Sequence, residues 1–396
     1  MKYAIIIPAG AVDEELDELD GRTPLQAAVL PTLDRLAATG RLGSAFTIPP
    51  GFPADSVPAL LGILGYDPRA HAAARGPLEA LARGLTLEPG DQVFRCNLVT
   101  VTDGHLADFT AGYIGALEAE RLIDDLNEAL EQPQARFVPG RSFRHLFIWK
   151  GAGDLPDLHT TAPQAILDEP ISKHLPRGER SDPLRQLVRW SQKILAEHDI
   201  NVVRADLAEA PANCAWVYGQ GPPAVLPTFA DRYGLTGAVV AGTDLMRGLG
   251  AALGMEVMEV PGATGLPDTD LEAKAHAALE ALERHDLVCV HVEAADEAGH
   301  LGNPRQKLAI MERIDREIVA PLAARLADEP AHRILVMPDH PTPVALRRHT
   351  TDPTIFLISG TGIASNRGDA FDEVNAAAGE LQVDRACELM EYFLRR

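Results

Sequence analysis

Two stretches of the chain carry side chains that could do chemistry together. The first is His291-Val292-Glu293-Ala294-Ala295-Asp296-Glu297-Ala298-Gly299-His300, which follows the apolar run Leu287-Val288-Cys289-Val290. That run reads as a buried strand, and open α/β sheets build their sites beyond the carboxyl ends of strands. Asp296 and His300 stand four apart, so one helical turn aims both at one point. The second stretch is another buried-strand pattern, Ile334-Leu335-Val336-Met337, running into Pro338-Asp339-His340-Pro341-Thr342-Pro343. His349 follows nine residues past His340. Carboxylates alone would suit Mg or Ca, and thiolates a structural Zn; a mixed carboxylate and imidazole set suits Zn, Mn or Fe. Such ions serve hydrolysis and phosphoryl transfer. Either stretch alone also reads as an acidic helix start with an incidental histidine. Two strand ends of the same kind favour a metal site.

Ser56 is the candidate nucleophile. The prolines and glycine of Thr47-Ile48-Pro49-Pro50-Gly51-Phe52-Pro53-Ala54-Asp55-Ser56 hold the chain extended and turned, and Ala59–Leu64 reads as a helix. A serine at a helix start is commonly its N-cap, and less commonly a nucleophile stabilised by helix amides and a metal. The local sequence leaves both open and favours the cap.

The elements that must position these residues alternate. Tyr3–Ile7 reads as the first strand, with Pro8-Ala9-Gly10-Ala11 as the loop at its carboxyl end. A helix capped by Thr23 or Asp20 follows, with Leu25, Val29, Leu33 and Leu36 in period. Further strands are expected at 94–101, 145–149, 216–221, 238–241, 256–260, 287–290, 334–337 and 355–358, and helices at 118–130, 181–197 and 384–396. Residues 151–178 are rich in Pro, Gly and Asp and read as a long loop. Apolar strands alternating with helices predict an α/β fold with a mainly parallel sheet covered by helices on both faces. The texture changes after Pro68. We expect residues 1–70 and 181–396 to form one domain, with 71–180 inserted as a smaller α/β capping domain.

Composition bounds the function. The 396 residues suit about two domains. Acidic residues number 57 against 36 basic, a net charge of −21, which excludes nucleic acid and anionic membrane as natural partners. An anionic substrate then needs a local cluster of arginine or metal. Cys96, Cys214, Cys289 and Cys387 form no close pair, which fits reduced thiols and a cytoplasmic location. Pro8 and Gly10 interrupt the apolar start too early for a signal peptide, and no apolar run approaches the roughly 20 residues of a membrane span.

Ser56 in its Pro/Gly turn, Asp296 to His300, Asp339-His340 and His349 together resemble the alkaline phosphatase superfamily. More narrowly, the chain resembles archaeal-type cofactor-independent phosphoglycerate mutases from end to end. Gly51-Phe52-Pro53, Leu64-Gly65-Tyr66-Asp67-Pro68, Arg75-Gly76-Pro77-Leu78-Glu79-Ala80, Phe94-Arg95-Cys96-Asn97-Leu98-Val99, Pro261-Gly262-Ala263-Thr264-Gly265 and His291-Val292-Glu293-Ala294 carry the likeness. The resemblance implies two divalent ions, Mn or Zn. Asp296, His300 and His349 would hold one; Asp339, His340 and Ser56 the other. Ser56 would carry the phosphoryl group between the two hydroxyls of glycerate in glycolysis. Arg75, Arg95, Asn97 and Arg247 would meet the small phosphorylated acid, although each arginine reads equally as a surface charge or a structural ion pair.

The chain departs from the family at two places. Ala9-Gly10 stands where the family has Asp-Gly, and that Asp is a metal ligand there. Pro163-Gln164-Ala165 stands where the family has Pro-His-Asp. Asp13 could replace the missing ligand if the loop is rebuilt; otherwise the Ser56-side ion is the weaker of the two. The departures keep two alternatives open beside the mutase: another metal-dependent phosphotransferase or phosphatase, homoserine-kinase-like, and a relative with a crippled second site. The oligomeric state is not legible.

Overall fold

The computed structural model describes residues 1–366, 368–379 and 381–395. They form two compact units, one of 1–72 with 225–396 and one of 73–224. Among the described residues, no helix is long and apolar enough to cross a membrane.

The first unit begins with β1 (Lys2–Pro8) and β2 (Arg41–Ala45). All but the first residue of β1 is buried, as expected for a central strand covered on both faces. Thr23 caps the helix Pro24–Ala27 in a capping box with Gln26. The single predicted helix breaks there: Pro31 starts a second one, Pro31–Thr39, and Val29 lies exposed between them.

The second unit holds β3 (Gln92–Thr102), β4 (His105–Asp108), β5 (Ala135–Arg141), β6 (Arg144–Trp149) and β7 (Cys214–Gly221). They form one antiparallel sheet in the order β4-β3-β6-β5, with β7 also on β3. The helices Ala116–Ala129 and Asp182–Ala196 share a core with this sheet, through Leu122, Leu126, Leu184 and Val188. The unit therefore runs to Ala224, beyond the boundary expected at residue 180, because β7 pairs with β3. The expected long loop holds two short 3-10 helices, Pro163–Ala165 and Ile171–Lys173, and a bridge between His159 and Arg177.

The first unit resumes with β8 (Gly237–Val240), β9 (Glu256–Val257), β10 (Leu287–Val292), β11 (His332–Val336), β12 (Thr354–Gly360) and β13 (Gln382–Val383). Its eight-stranded sheet runs β13-β2-β12-β11-β1-β10-β8-β9. Only β12 is antiparallel to its neighbours, so the sheet is mainly parallel, as the alternation predicts. The expected helix 384–396 is shorter, a 3-10 turn at Ala386–Glu388 followed by Leu389–Leu394, and Arg396 lies outside the described residues.

The order β11-β1-β10 matters most. These strands are parallel neighbours, so their carboxyl ends meet on one edge of the sheet. The loops after Pro8, Val292 and Val336 leave from that edge. Gly10 lets two of them touch. Its φ is +64°, and a Cβ there would come within 2.6 Å of the Asp296 Cα.

Candidate active site

Asp296 and His300 lie one turn apart on the helix Ala294–His300, which starts two residues after β10. Their side chains meet at 3.4 Å. His349 arrives from the loop before β12 and reaches Asp296 at 3.3 Å and His300 at 3.0 Å. Asp339 and His340 follow β11 after Met337 and Pro338 and are fully buried. The His340 and His349 rings stack with centroids 3.8 Å apart, so the two expected ligand sets abut. Ligand atoms of Asp296, His340 and His349 lie within 4.8 Å of one another. The structure thus joins His340 to the first set, where sequence reasoning kept the sets separate.

The hydrogen bonds set the tautomers. The Arg347 carbonyl can only accept, so His300 donates to it through Nδ1 at 2.9 Å and turns Nε2 toward Asp296 and His349. Thr342 Oγ1 donates to the acceptor-only Asp296 carboxylate. Its oxygen then accepts from His340 Nδ1 at 3.2 Å, so His340 Nε2 is the nitrogen that faces Asp339 at 3.1 Å, donating to it when protonated and free for a cation when not. The Nε2 atoms of His300 and His349 thus face each other and Asp296. Two lone pairs at that separation repel unless a proton or a cation lies with them. Accordingly, the hydrogen bond to Asp296 draws His300 up to about 9. Burial pushes Asp296 up, but His300 and His349 outweigh it and hold the carboxyl well below the usual range. At Asp339 the His340 ring likewise overcomes burial and keeps the carboxylate ionised. A donor set of this kind fits a divalent transition metal.

Ser56 Oγ lies 3.0 Å from His340 Nε2. Ser56 is the first residue of the helix Ser56–Ile63, and Asp55 is its cap, accepting from the Val57 N–H at 2.8 Å. The cap reading of Ser56 is therefore replaced. Its hydroxyl stands at the positive end of the helix, beside the histidine.

Asp13 does not replace the ligand missing at Ala9. Its carboxylate is buried against Lys307 Nζ at 2.6 Å and also accepts from the Val344 N–H. Ala9 sits at the end of β1, donating its N–H to Val292 O, and Gly10 N–H donates to Asp339 Oδ1 at 3.1 Å.

The anion-binding candidates separate. In the second unit, Arg75 and Arg95 both reach Glu79 Oε1, at 2.9 and 3.3 Å. Burial raises Glu79, but Arg95 and Arg75 outweigh it and keep the group ionised. Arg95 also lies over the Tyr218 ring, whose hydroxyl donates to Asn97. Two guanidiniums facing one carboxylate leave a net positive charge among these three groups. In the first unit, Arg247 is engaged by Glu259 and the Met258 carbonyl. Gln164 and Ala165 lie in the short turn Pro163–Ala165 of the second unit.

Sequence reasoning did not assign Asp55, Thr342 or His291. The cap of Asp55 was readable in a turn followed by a helix. Thr342 acts on Asp296 and His340, and Asp296 lies 46 residues away, where only the fold brings it near.

A family model described as 2,3-bisphosphoglycerate-independent phosphoglycerate mutase matches residues 37–201. A relative of that name from Methanosarcina barkeri is 44% identical over 396 residues, covering 98% of each chain. The solved structure of a Pyrococcus horikoshii protein superposes with a TM-score of 0.83 at 28% identity, covering 99% of this chain and 97% of that one. The cofactor-independent phosphoglycerate mutase of Thermoplasma acidophilum gives 0.67 at 27% identity, covering 100% and 99%.

Proposed function

The chain belongs to the 2,3-bisphosphoglycerate-independent phosphoglycerate mutases, and we propose that it interconverts 3- and 2-phosphoglycerate through a phosphoserine at Ser56. The observation that carries this reading is Ser56 Oγ at a helix N-terminus, 3.0 Å from a histidine embedded in the carboxylate and imidazole cluster.

Asp296, His300 and His349 would hold one divalent cation, and Asp339, His340 and Ser56 a second, either Mn or Zn. Bound there, the ions would lower the pKa of the Ser56 hydroxyl and offset charge on the transferring phosphoryl group. Ser56 Oγ attacks phosphorus as the bond from phosphorus to the glycerate oxygen breaks, and the serine proton ends on that released oxygen. The Val57 N–H is taken by Asp55 and Pro58 has none, so the helix Ser56–Ile63 would favour the phosphoserine through its dipole. The other glycerate hydroxyl then attacks phosphorus as the Ser56 Oγ–P bond breaks, and the proton of that hydroxyl passes to Ser56 Oγ. No net proton or electron is exchanged, as an isomerisation requires. Thr342 and the Arg347 carbonyl keep His340 and His300 in the tautomer that offers Nε2.

Arg75 and Arg95, drawn together on Glu79, would supply positive charge for an acidic phosphate ester in a chain of net charge −21. Arg95→Ala removes one charged contact, worth about 1.5–3 kcal/mol. We expect kcat/KM to fall about 10–100-fold, mostly through KM, in steady-state assays. An unchanged KM would leave Arg95 a structural partner of Glu79.

The direct test is conversion of 3- to 2-phosphoglycerate without added 2,3-bisphosphoglycerate. Chelation should abolish turnover, and Mn or Zn should restore it. A chain that instead releases inorganic phosphate, or that ignores chelation, is not this mutase.

A further inference from the structure

Tyr218 is a buried, uncharged residue among the charged groups of the second unit. It lies on β7 across from Arg95 on β3, and paired residues of neighbouring strands share a face. The Arg95 guanidinium carbon sits 5.2 Å from the centre of the Tyr218 ring, close enough for the ring to hold the cation against its face. Glu79 takes the Nε of Arg95 at 3.3 Å. Among the described residues the two Nη groups of Arg95 have no hydrogen-bond partner, and the side chain keeps 14% of its surface exposed. What remains open is the edge formed by the two Nη groups, whose spacing matches a carboxylate or a phosphate.

The other end of Tyr218 acts on Asn97. The hydroxyl donates to Asn97 Oδ1 at 3.2 Å, while Asn97 Nδ2 donates to the Phe109 carbonyl at 3.3 Å. These two bonds fix the amide and leave it one N–H to offer. Burial raises the Tyr218 pKa, so the phenol stays a donor. Arg95 and Asn97 are alternate residues of β3 and therefore lie on one face of it. The strand under the ring is tied down on both sides. Trp216 Nε1 donates to the Thr161 carbonyl, and the Gly219 N–H donates to Thr160 Oγ1.

We propose that Tyr218 is a positioning residue of the anion site, aiming the Nη edge of Arg95 and the free N–H of Asn97 at one oxyanion of the substrate. The inference rests on the mutase reading and adds the group that orients its arginine.

Steady-state kinetics on 3-phosphoglycerate test it. Tyr218→Leu should raise KM about 15-fold and leave kcat within about twofold. Tyr218→Phe keeps the ring and should raise KM only about threefold, through Asn97. A merely structural role gives the opposite split, because a partly unfolded preparation loses kcat and keeps its KM. The gap of about fivefold between Tyr218→Leu and Tyr218→Phe should vanish in the Arg95→Ala background, where the ring has no guanidinium to aim. Inhibition by glycerate and by inorganic phosphate names the group that is held: its inhibition constant rises in Tyr218→Leu. An unchanged KM in Tyr218→Leu, or a gap that persists without Arg95, overturns the role of Tyr218 and leaves the mutase reading standing. A wild type that does not convert 3-phosphoglycerate overturns the mutase reading. Calorimetric titration with inorganic phosphate then decides the role of Tyr218, since equal affinity in wild type and Tyr218→Leu overturns it and weaker binding in Tyr218→Leu supports it.

Discussion

Ser56→Ala should lose mutase turnover by at least about 10⁴-fold while the protein folds and binds its Asp296-side ion normally. The size follows from the role: a phosphoenzyme route has no second path once the accepting oxygen is gone. The selectivity follows from the structure. Asp55, not Ser56, satisfies the helix N-terminus through the Val57 N–H, so the helix keeps its cap. Asp296, His300 and His349 make no hydrogen bond to Ser56 in the network; its partner is His340. Single-turnover assays and metal titration on one preparation separate these effects. Turnover within tenfold of wild type would return Ser56 to a position in a helix and nothing more.

Lys307→Met should destabilise the first unit by about 3–5 kcal/mol, the cost of stranding a buried carboxylate. Lys307 Nζ and Asp13 Oδ2 meet at 2.6 Å with both side chains fully buried. Lys307 also donates to the carbonyls of Val12 and Thr342, and Asp13 accepts from the Val344 N–H. The pair thus ties the loop after β1 to the segment carrying Asp339, His340 and Thr342. We expect Zn affinity to fall together with the urea midpoint. Adding Asp13→Asn to Lys307→Met should recover most of the stability, since it removes the stranded charge. A Lys307→Met protein that melts like the wild type would show that Asp13 is solvated and free to serve a metal.

The same pair shows where sequence reading stops. Asp13 stands a few residues past Ala9, and sequence distance made it the natural substitute ligand. Its partner Lys307 is 294 positions away and invisible to local pattern. Val29 kept helical period, but Pro31 broke the helix that the period implied. Trp216 to Gly221 read correctly as a strand yet was assigned to the wrong unit, because a strand's pattern does not name its neighbour.

The amino-acid sequence by itself determined that apolar strands alternate with helices, that Asp296, His300, Asp339 and His340 follow two strand ends, and that Ser56 opens a helix. Those facts live in residue type and spacing, which local physics reads directly. Only the tertiary structure decided that β10, β1 and β11 are adjacent and parallel, so that the strand ends share one edge. Only the fold also brings Lys307 to Asp13 and His349 to Asp296. Such pairings depend on which distant segments the folded sheet makes neighbours, and the free energy that selects them is spread over the whole core.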